Sequence, residues 1–482
     1  MANKLILMSL VPYLLLGQVS AETLEEKDLV SLAKKSNPTT QALEARLLAV
    51  ESQQRFFDDQ FTSQWYANAN YQNSNLMSVV PNNPIWGPTQ HYETGIRTKL
   101  NYGISGAVFA YGNKRSSTGG MINDSARIGV RFRLEMDLWK NLLGQLDNSK
   151  RLSIEKRALM QKSNNEILLK QLEVEVRKIY WSLIANHRSI QVTQKLLVLA
   201  KQQQKEAGVR ANLAIAEKDE IARYKAQVAS VQAKIHSLEF RKKGLERALF
   251  QMVPEAAGKT LKLDRQDDEK VTQEVFQCTM WIANQSKTPW EHTEYGEVIK
   301  LDEERYQSDL NELNKYDSLD LKVFYENELT NNGIGFDESV DKFGEGQAND
   351  YMVGISVAVP LGSTLKDSKD FQVKAKAAEL ASSISNIRSE VEARHASMRG
   401  MIDLLTKLLE TQKENSSQLD LVQKGSTRRY RQARIPVEVL IQDQNAAQAS
   451  EIDQTNAQLA IIHEVLDYFR VFNKAPCSIN KL

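Results

Sequence analysis

Hydrophobic residues along this chain follow two periods, and the points where one gives way to the other divide it. From Leu24 to about Asp59 the apolar positions fit a helix, broken near its start at Asn37 and Pro38. At Phe61 the period drops to two. Phe61, Ser63, Trp65, Ala67, Ala69 and Tyr71 alternate with Thr62, Gln64, Tyr66, Asn68, Asn70 and Gln72, which predicts a strand with one apolar or aromatic face. A second run sets Tyr92, Thr94, Ile96, Thr98, Leu100, Tyr102 and Ile104 against Glu93, Gly95, Arg97, Lys99 and Asn101. A third sets Ile128, Val130, Phe132, Leu134, Met136 and Leu138 against Arg127, Arg131, Arg133, Glu135 and Asp137. Three runs are an awkward number for a chain that leaves and re-enters one side of a membrane. Either the second run doubles back at Gly103 to Gly106, or one run lies outside the bilayer.

The helical period then returns and lasts. Between Gly144 and Gly208 stand 63 residues without proline or glycine, a rod of roughly 95 Å at the helical rise. Leu169, Val176, Leu183, Ile190 and Leu197 recur every seventh position, and Leu172, Ile179, Asn186, Thr193 and Ala200 follow three residues behind. Such a seam keeps meeting a partner helix along its whole length, as in a coiled coil. Arg210 to Glu220 breaks the heptad, and a returning helix from about Lys218 to Phe250 ends before Pro254; the short connection makes the two antiparallel neighbours.

The second half repeats this order. A helix to about Lys315 precedes strands at Leu321, Val323 and Tyr325 and at Tyr351, Val353, Ile355, Val357, Val359 and Leu361. A second rod from about Thr364 to Lys424 carries Ile384, Val391, Met398, Leu405 and Leu419, with Ile387, Met401, Leu408 and Val422 completing the seam. Shifted by about 219 residues, Ile179 falls on Met398, Leu183 on Ile402, Ile190 on Leu409 and Arg210 on Arg429. The predicted organisation is a signal peptide over 1–21 and a first repeat over 22–251 with strands about 61–138, a long helix about 145–209, a turn about 210–217 and a returning helix about 218–250. A connector over 252–287 leads to the second repeat, 288–475, with strands about 319–361, a long helix about 364–428, a turn about 429–437 and a returning helix about 438–474. A tail over 476–482 closes the chain.

Charge adds little, since 62 Lys and Arg against 61 Asp and Glu leave +1 and give no field for nucleic acid. The N-terminus adds more. Lys4, the apolar run Leu5 to Leu16 and the small residues Val19, Ser20 and Ala21 read as a secretory signal, with the mature chain starting near Glu22. Past it no stretch offers the roughly 20 apolar residues of a membrane helix. Cys278 and Cys477 are the only cysteines; paired or free thiols both fit an oxidising compartment. His91, His187, His236, His292, His395 and His463 are scattered, without metal spacing, and no nucleophile elbow or phosphate loop appears. The acidic run from Asp264 to Glu269 reads as a solvated loop. Nothing calls for a cofactor, a metal or an enzyme.

The pattern therefore gives a mixed, mainly α fold with two internal repeats and about four β-strands per chain. An open sheet in lipid leaves backbone groups unpaired at several kcal/mol each, and a single-chain barrel needs at least about eight strands. Several copies must pool their strands, and three would make a barrel of about twelve.

At this point the sequence resembles the TolC family of outer-membrane efflux proteins over nearly the whole mature chain. The resemblance rests on Val176 to Trp181 in the first rod, on Arg210, Ala214, Ile215 and Glu220 at the first turn, and on the run from Arg429 through Ala433, Ile435 and Pro436 to Glu438 and Leu440. Met136-Asp137-Leu138 and Val359-Pro360-Leu361 look like the family's exits from strands into long helices. The resemblance implies a homotrimer in the outer membrane of a Gram-negative bacterium, with a shared 12-stranded β-barrel in lipid and a periplasmic α-barrel of antiparallel helices. It also implies a passive exit duct for tripartite efflux or type I secretion, working with a periplasmic adaptor and an inner-membrane pump of RND, ABC or MFS class. Adaptor docking is expected at the turns, on Arg210, Ala214, Ile215, Arg429, Ala433, Ile435 and Pro436; the alternative is that both arginines cap helix carbonyls. Where the family carries glycine at the turns, this chain has Ala214 and Ala433. A pore constriction is expected at Glu438, Gln442 and Asp443, where a threefold acidic ring would favour cations; the alternative is two solvated surface acids. A periplasmic adaptor would need a lipoyl-like domain split around its hairpin, and a secreted structural coiled coil does not account for the period-two strands.

Overall fold

The computed structural model describes residues 23–73, 86–117, 124–212, 218–263, 277–282, 290–316, 319–343, 348–359 and 363–472. The expected signal peptide, the tail, Cys477, Ala214 and Ile215 lie outside them. In chain order come β1 (Thr23–Leu24), α1 (Glu26–Ser36), α2 (Pro38–Asp59), β2 (Gln64–Gln72), β3 (Trp86–Leu100), β4 (Ile104–Ser117) and β5 (Ser125–Asp137). Then follow α3 (Gln145–Asn212), α4 (Lys218–Met252), β6 (Thr260–Leu261), α5 (Glu294–Tyr316), β7 (Asp320–Gly333), α6 (Phe336–Asp341), β8 (Ala348–Ala358), α7 (Ser363–Arg431) and α8 (Val437–Val471). The chain divides into two compact units, each drawing on both sequence repeats: Met1–Ala42, Ile167–Pro289 and Val391–Leu482 in one, Leu43–Glu166 and Trp290–Glu390 in the other. No described helix is long and apolar enough to cross a membrane.

The second unit is built on an antiparallel meander in the order β2-β3-β4-β5-β7-β8. Its register sorts the side chains by chemistry. One face carries rows such as Trp65, Ile96, Val108 and Phe132, or Leu100, Ile104, Met136, Val323 and Ile355. Trp65, Ile96, Val108, Phe132, Val353 and Ile355 are all exposed in the single chain. The other face carries Arg97, Arg127, Arg131, Arg133, Glu135, Lys322, Glu326 and Glu328. There Arg131 is held by Glu326 at 3.1 Å and Glu328 at 2.9 Å, and Arg127 reaches Glu328 at 3.0 Å.

The sheet has six strands among the described residues, where the alternation predicted about four. The second run doubles back: Leu100 pairs with Ile104 across Asn101–Gly103, so one expected strand becomes β3 and β4. Tyr102 and Gly103 both take φ 74°, the left-handed conformation of tight hairpins. At Gly103 a Cβ would sit 2.1 Å from the Asn141 carbonyl oxygen, so only glycine fits. The alternation fades after Gly106 because Phe109 and Tyr111 lie on the charged face. Both are buried there beneath the Arg131 guanidinium, 5.3 and 5.0 Å from their ring centres.

In the first unit the long helices pack along the expected stripes. Val176, Leu183, Thr193 and Ala200 of α3 are fully buried and Ile190 nearly so. On α7 Val391, His395, Met398, Ile402 and Leu409 are buried. The matches Leu183 with Ile402 and Ile190 with Leu409 thus hold in packing. On α7 the companion stripe differs from expectation, with His395 and Ile402 lying four residues behind Val391 and Met398 rather than three. Met401, Leu408 and Val422, expected in the seam, are 46%, 44% and 41% exposed. Cys278 is buried and disulfide-bonded.

The motif from Val176 to Trp181 has a structural reason. Arg177, 3% exposed, reaches Glu26 at 3.0 Å and Glu173 at 2.9 Å, and the Trp181 indole N–H donates to the same Glu26 oxygen at 3.2 Å. At the next residue, the Lys178 ammonium meets Asp467 at 2.6 Å, and its carbonyl lies 3.1 Å from His463 Nε2. Burial, the largest cause, lowers the His463 pKa below its ordinary 6.5.

Two outcomes are expected. Arg177→Ala removes the cation paired with buried Glu26 and destabilises the protein by about 3–5 kcal/mol, whereas Arg177→Met combined with Glu26→Leu loses much less; chemical denaturation of the natural protein and these two variants measures this. Because His463 binds its proton less readily folded than unfolded, stability holds above pH 6.5 and falls as the pH drops from 6.5 toward the lowered value. His463→Gln flattens that decline in melting curves taken across the range.

Candidate functional site

The turns singled out by sequence meet in one cluster. The end of α3 brings Ala207 and Arg210, the start of α4 Glu220, Ile221, Arg223 and Tyr224, the end of α7 Ser426, Arg429 and Tyr430, and the start of α8 Val437, Glu438, Ile441 and Asp443. Ala207, Tyr224 and Val437 form a buried apolar knot, packed against Ile221, Tyr430 and Ile441. It joins a helix pair from each repeat.

A polar triangle closes over the knot. Arg210 Nη2 donates to Glu220 Oε1 at 2.8 Å and to the Tyr430 hydroxyl, which in turn donates to Glu220 Oε1. The same guanidinium lies 5.0 Å from the Tyr430 ring centre. Burial first, then the hydrogen bond to Glu220, raises the Tyr430 pKa; burial first, then Tyr430, raises that of Tyr224. Both phenols therefore stay protonated, and that of Tyr430 donates to Glu220. Alongside, Arg223 Nη1 meets Glu438 Oε1 at 2.7 Å, both side chains 46% exposed, a position worth less than about 1 kcal/mol by itself.

The second turn is a Schellman motif. The Arg434 amide donates to the Arg429 carbonyl at 2.9 Å and the Ala433 amide to the Tyr430 carbonyl at 2.9 Å, the 6→1 and 5→2 pair of that motif. Ala433 takes φ 54° at the position where glycine is usual, so alanine keeps the turn geometry at a cost. Pro436 then caps α8 with extended backbone. Arg429 is exposed, its Nη2 3.4 Å from Ser426 Oγ, while the buried Ser426 hydroxyl donates to Asp443. Gln442 is exposed, Ile435 half-buried, and Pro436 and Ala433 exposed.

The structure thus gathers Arg210 and Glu220 into one network and draws Glu438 beside it, while Asp443 faces Ser426 and Gln442 stands apart. Sequence reasoning missed Tyr224, Tyr430 and Arg223. A phenol flanked by Arg429 and Arg431 at a rod end, with its ring in the helix seam, was the available signal. Among the described residues no group of His, Cys, Asp and Glu could hold a metal ion.

The likeness to solved structures runs over nearly the whole chain. CusC aligns with 92% of this chain and 91% of its own at TM-score 0.65 and 10% identity. The outer-membrane protein VceC of Vibrio cholerae aligns over 91% and 95% at 0.61 and 12%, and the open-state outer-membrane channel MtrE of Neisseria gonorrhoeae over 92% and 88% at 0.62 and 11%. The chain has the fold of an outer-membrane channel. No family model and no curated protein matches the sequence.

Relief of the turn at Ala433 is measurable. A left-handed alanine costs about 1–2 kcal/mol, and glycine returns about 0.4–1 kcal/mol of that through unfolded-state freedom. Ala433→Gly is expected to raise stability by about 0.5–1 kcal/mol, and Ala433→Val to lower it, by shifts in the denaturation midpoint.

Proposed function

We propose that this protein is the outer-membrane exit duct of a tripartite efflux or type I secretion system, a TolC-family channel of a Gram-negative bacterium reaching into the periplasm. The observation that carries the reading is the sheet: one face exposed and apolar, the other charged, with two open edges. Such a sheet suits lipid on one side and a water-filled lumen on the other, but only after closure with further copies. The exposed stripe Met401, Leu404 and Leu408 on α7 supports the same assembly, since it gives each copy an apolar seam for a neighbouring helix.

As a homotrimer the protein works passively. A periplasmic adaptor docks on the helix turns, at Arg210, Ala214, Ile215, Arg429, Ala433, Ile435 and Pro436, and an inner-membrane pump supplies the energy. Arg429, exposed beside the Schellman turn, is the polar anchor for the adaptor; Arg210, engaged with Glu220 and Tyr430, holds the turn in shape. Glu438, Gln442 and Asp443 form the constriction, and the Arg210–Tyr430–Glu220 and Arg223–Glu438 contacts tie the two helix pairs together beside it.

Fractionation is expected to put the protein in the outer membrane as a heat-stable trimer that conducts in planar bilayers; a detergent-independent soluble monomer overturns the reading. In the same bilayers Glu438→Ala with Asp443→Ala reduces cation selectivity, and unchanged currents remove the constriction from those residues.

A further inference from the structure

Each chain carries six strands in one sheet, and their placement bears on how many of them a shared barrel would use. β3 and β4 lie inside the meander: β3 pairs with β2 and β4, and β4 with β3 and β5, with the one register shift of the β3–β4 pair confined to Trp86–Thr89. Withdrawing this hairpin would strip the whole inner edge of β2 and of β5. Both strands also exceed the 9–11 residues that cross a bilayer, with 15 in β3 and 14 in β4. Their faces match those of their neighbours. Tyr92, Thr94, Ile96, Thr98 and Leu100, and Ile104, Val108 and Ala110, share the apolar face with Ile128, Val130, Phe132 and Leu134.

The turn joining them is seated too. Tyr102 and Gly103 press on Asn141 and Gly144, just before α3, and Asn141 Oδ1 accepts the Leu146 and Asp147 amides that open that helix. The edges are complementary. Five antiparallel steps separate β2 from β8, so the two run in opposite directions, and the β8 edge of one copy meets the β2 edge of the next as an antiparallel pair. An odd strand count would have forced a parallel seam.

We propose that three copies of this chain close a barrel of eighteen strands, six from each, with the β2 and β8 edges as the surface on which a second copy docks. This rests on the exit-duct reading above and departs from the twelve strands that the sequence pattern led us to expect. Barrel diameter grows roughly linearly with strand number, so the lumen through the membrane is roughly half again as wide as a twelve-stranded one. It belongs with the size class of about 16–18 strands that leaves an open aqueous channel. The membrane section thus passes bulky, polar cargo, and its charged face, with Arg131 and Arg127 paired to Glu326 and Glu328, meets that cargo without a large net field.

The test is spin labelling of single added cysteines in the full-length protein in liposomes, where Cys278 is already in a disulfide. Collision of each label with oxygen, which dissolves in lipid, is compared with collision with a water-soluble nickel chelate. Val130→Cys on β5 and Val353→Cys on β8 are controls that lie in lipid at either strand count. The expected result is oxygen-dominated collision at Ile96→Cys and Val108→Cys, as at the controls, and chelate-dominated collision at Ser105→Cys and Ala107→Cys. Should a label disturb folding, Thr94→Cys and Ala110→Cys report on the same face. Controls in lipid with positions 96 and 108 open to the chelate overturn the eighteen-stranded barrel and leave the duct reading intact. Controls open to the chelate overturn the duct reading itself. Native mass spectrometry of the same samples should give three chains per particle; two would close only twelve strands and overturn the proposal.

Discussion

A peptide group inside hydrocarbon has no water to bond, so every N–H and C=O there must find a partner in protein. The β2-to-β8 meander satisfies this along its five internal seams and leaves it unmet along its two edges. Its faces impose the matching demand on side chains. Ile96, Val108, Phe132 and Ile355 need a nonaqueous neighbour, while Arg131, Glu326 and Glu328 need either water or each other. A lone copy leaves the edges and the apolar face unserved; the ring of copies proposed above serves both.

In the helical unit the same logic runs through buried charge. Arg177 and Glu26 are almost wholly removed from solvent, where an ion pair contributes little net stability but punishes loss of either partner. The pair sets the position of α1 against α3 with a directionality that aliphatic packing lacks. At the far turns the burden passes to Tyr430 and Tyr224, whose rings fill the apolar knot while the Tyr430 hydroxyl bridges Arg210 and Glu220. One side chain there serves both the packing and the polar network.

Much of this was legible in the chain. β5 could be read outright, because Ile128, Val130, Phe132 and Leu134 alternate strictly with Arg127, Arg131 and Arg133. The rods announced themselves by sixty-three residues without a breaker. β4 could not be read, since Phe109 and Tyr111 sit on the charged side, and only the structure shows Arg131 covering them. On α7 the seam was placed one residue off, because Met401 and Leu408 are as apolar as Ile402 and Leu409 and periodicity alone does not say which stripe faces inward within one copy. The turn residues Arg210 and Arg429 stood out through resemblance. Tyr430 did not, because its role depends on Glu220 some two hundred positions away.

The three-residue bend at Asn101–Gly103 begins and ends on the same rim of the sheet, since Leu100 and Ile104 face each other across it. A hairpin inserted on that plan alters the width of the sheet and nothing else: β5 still returns to the rim from which β2 set out, and the helix after it starts from an unchanged position. A sheet built this way widens from within, two strands at a time, without moving the point at which α3 begins.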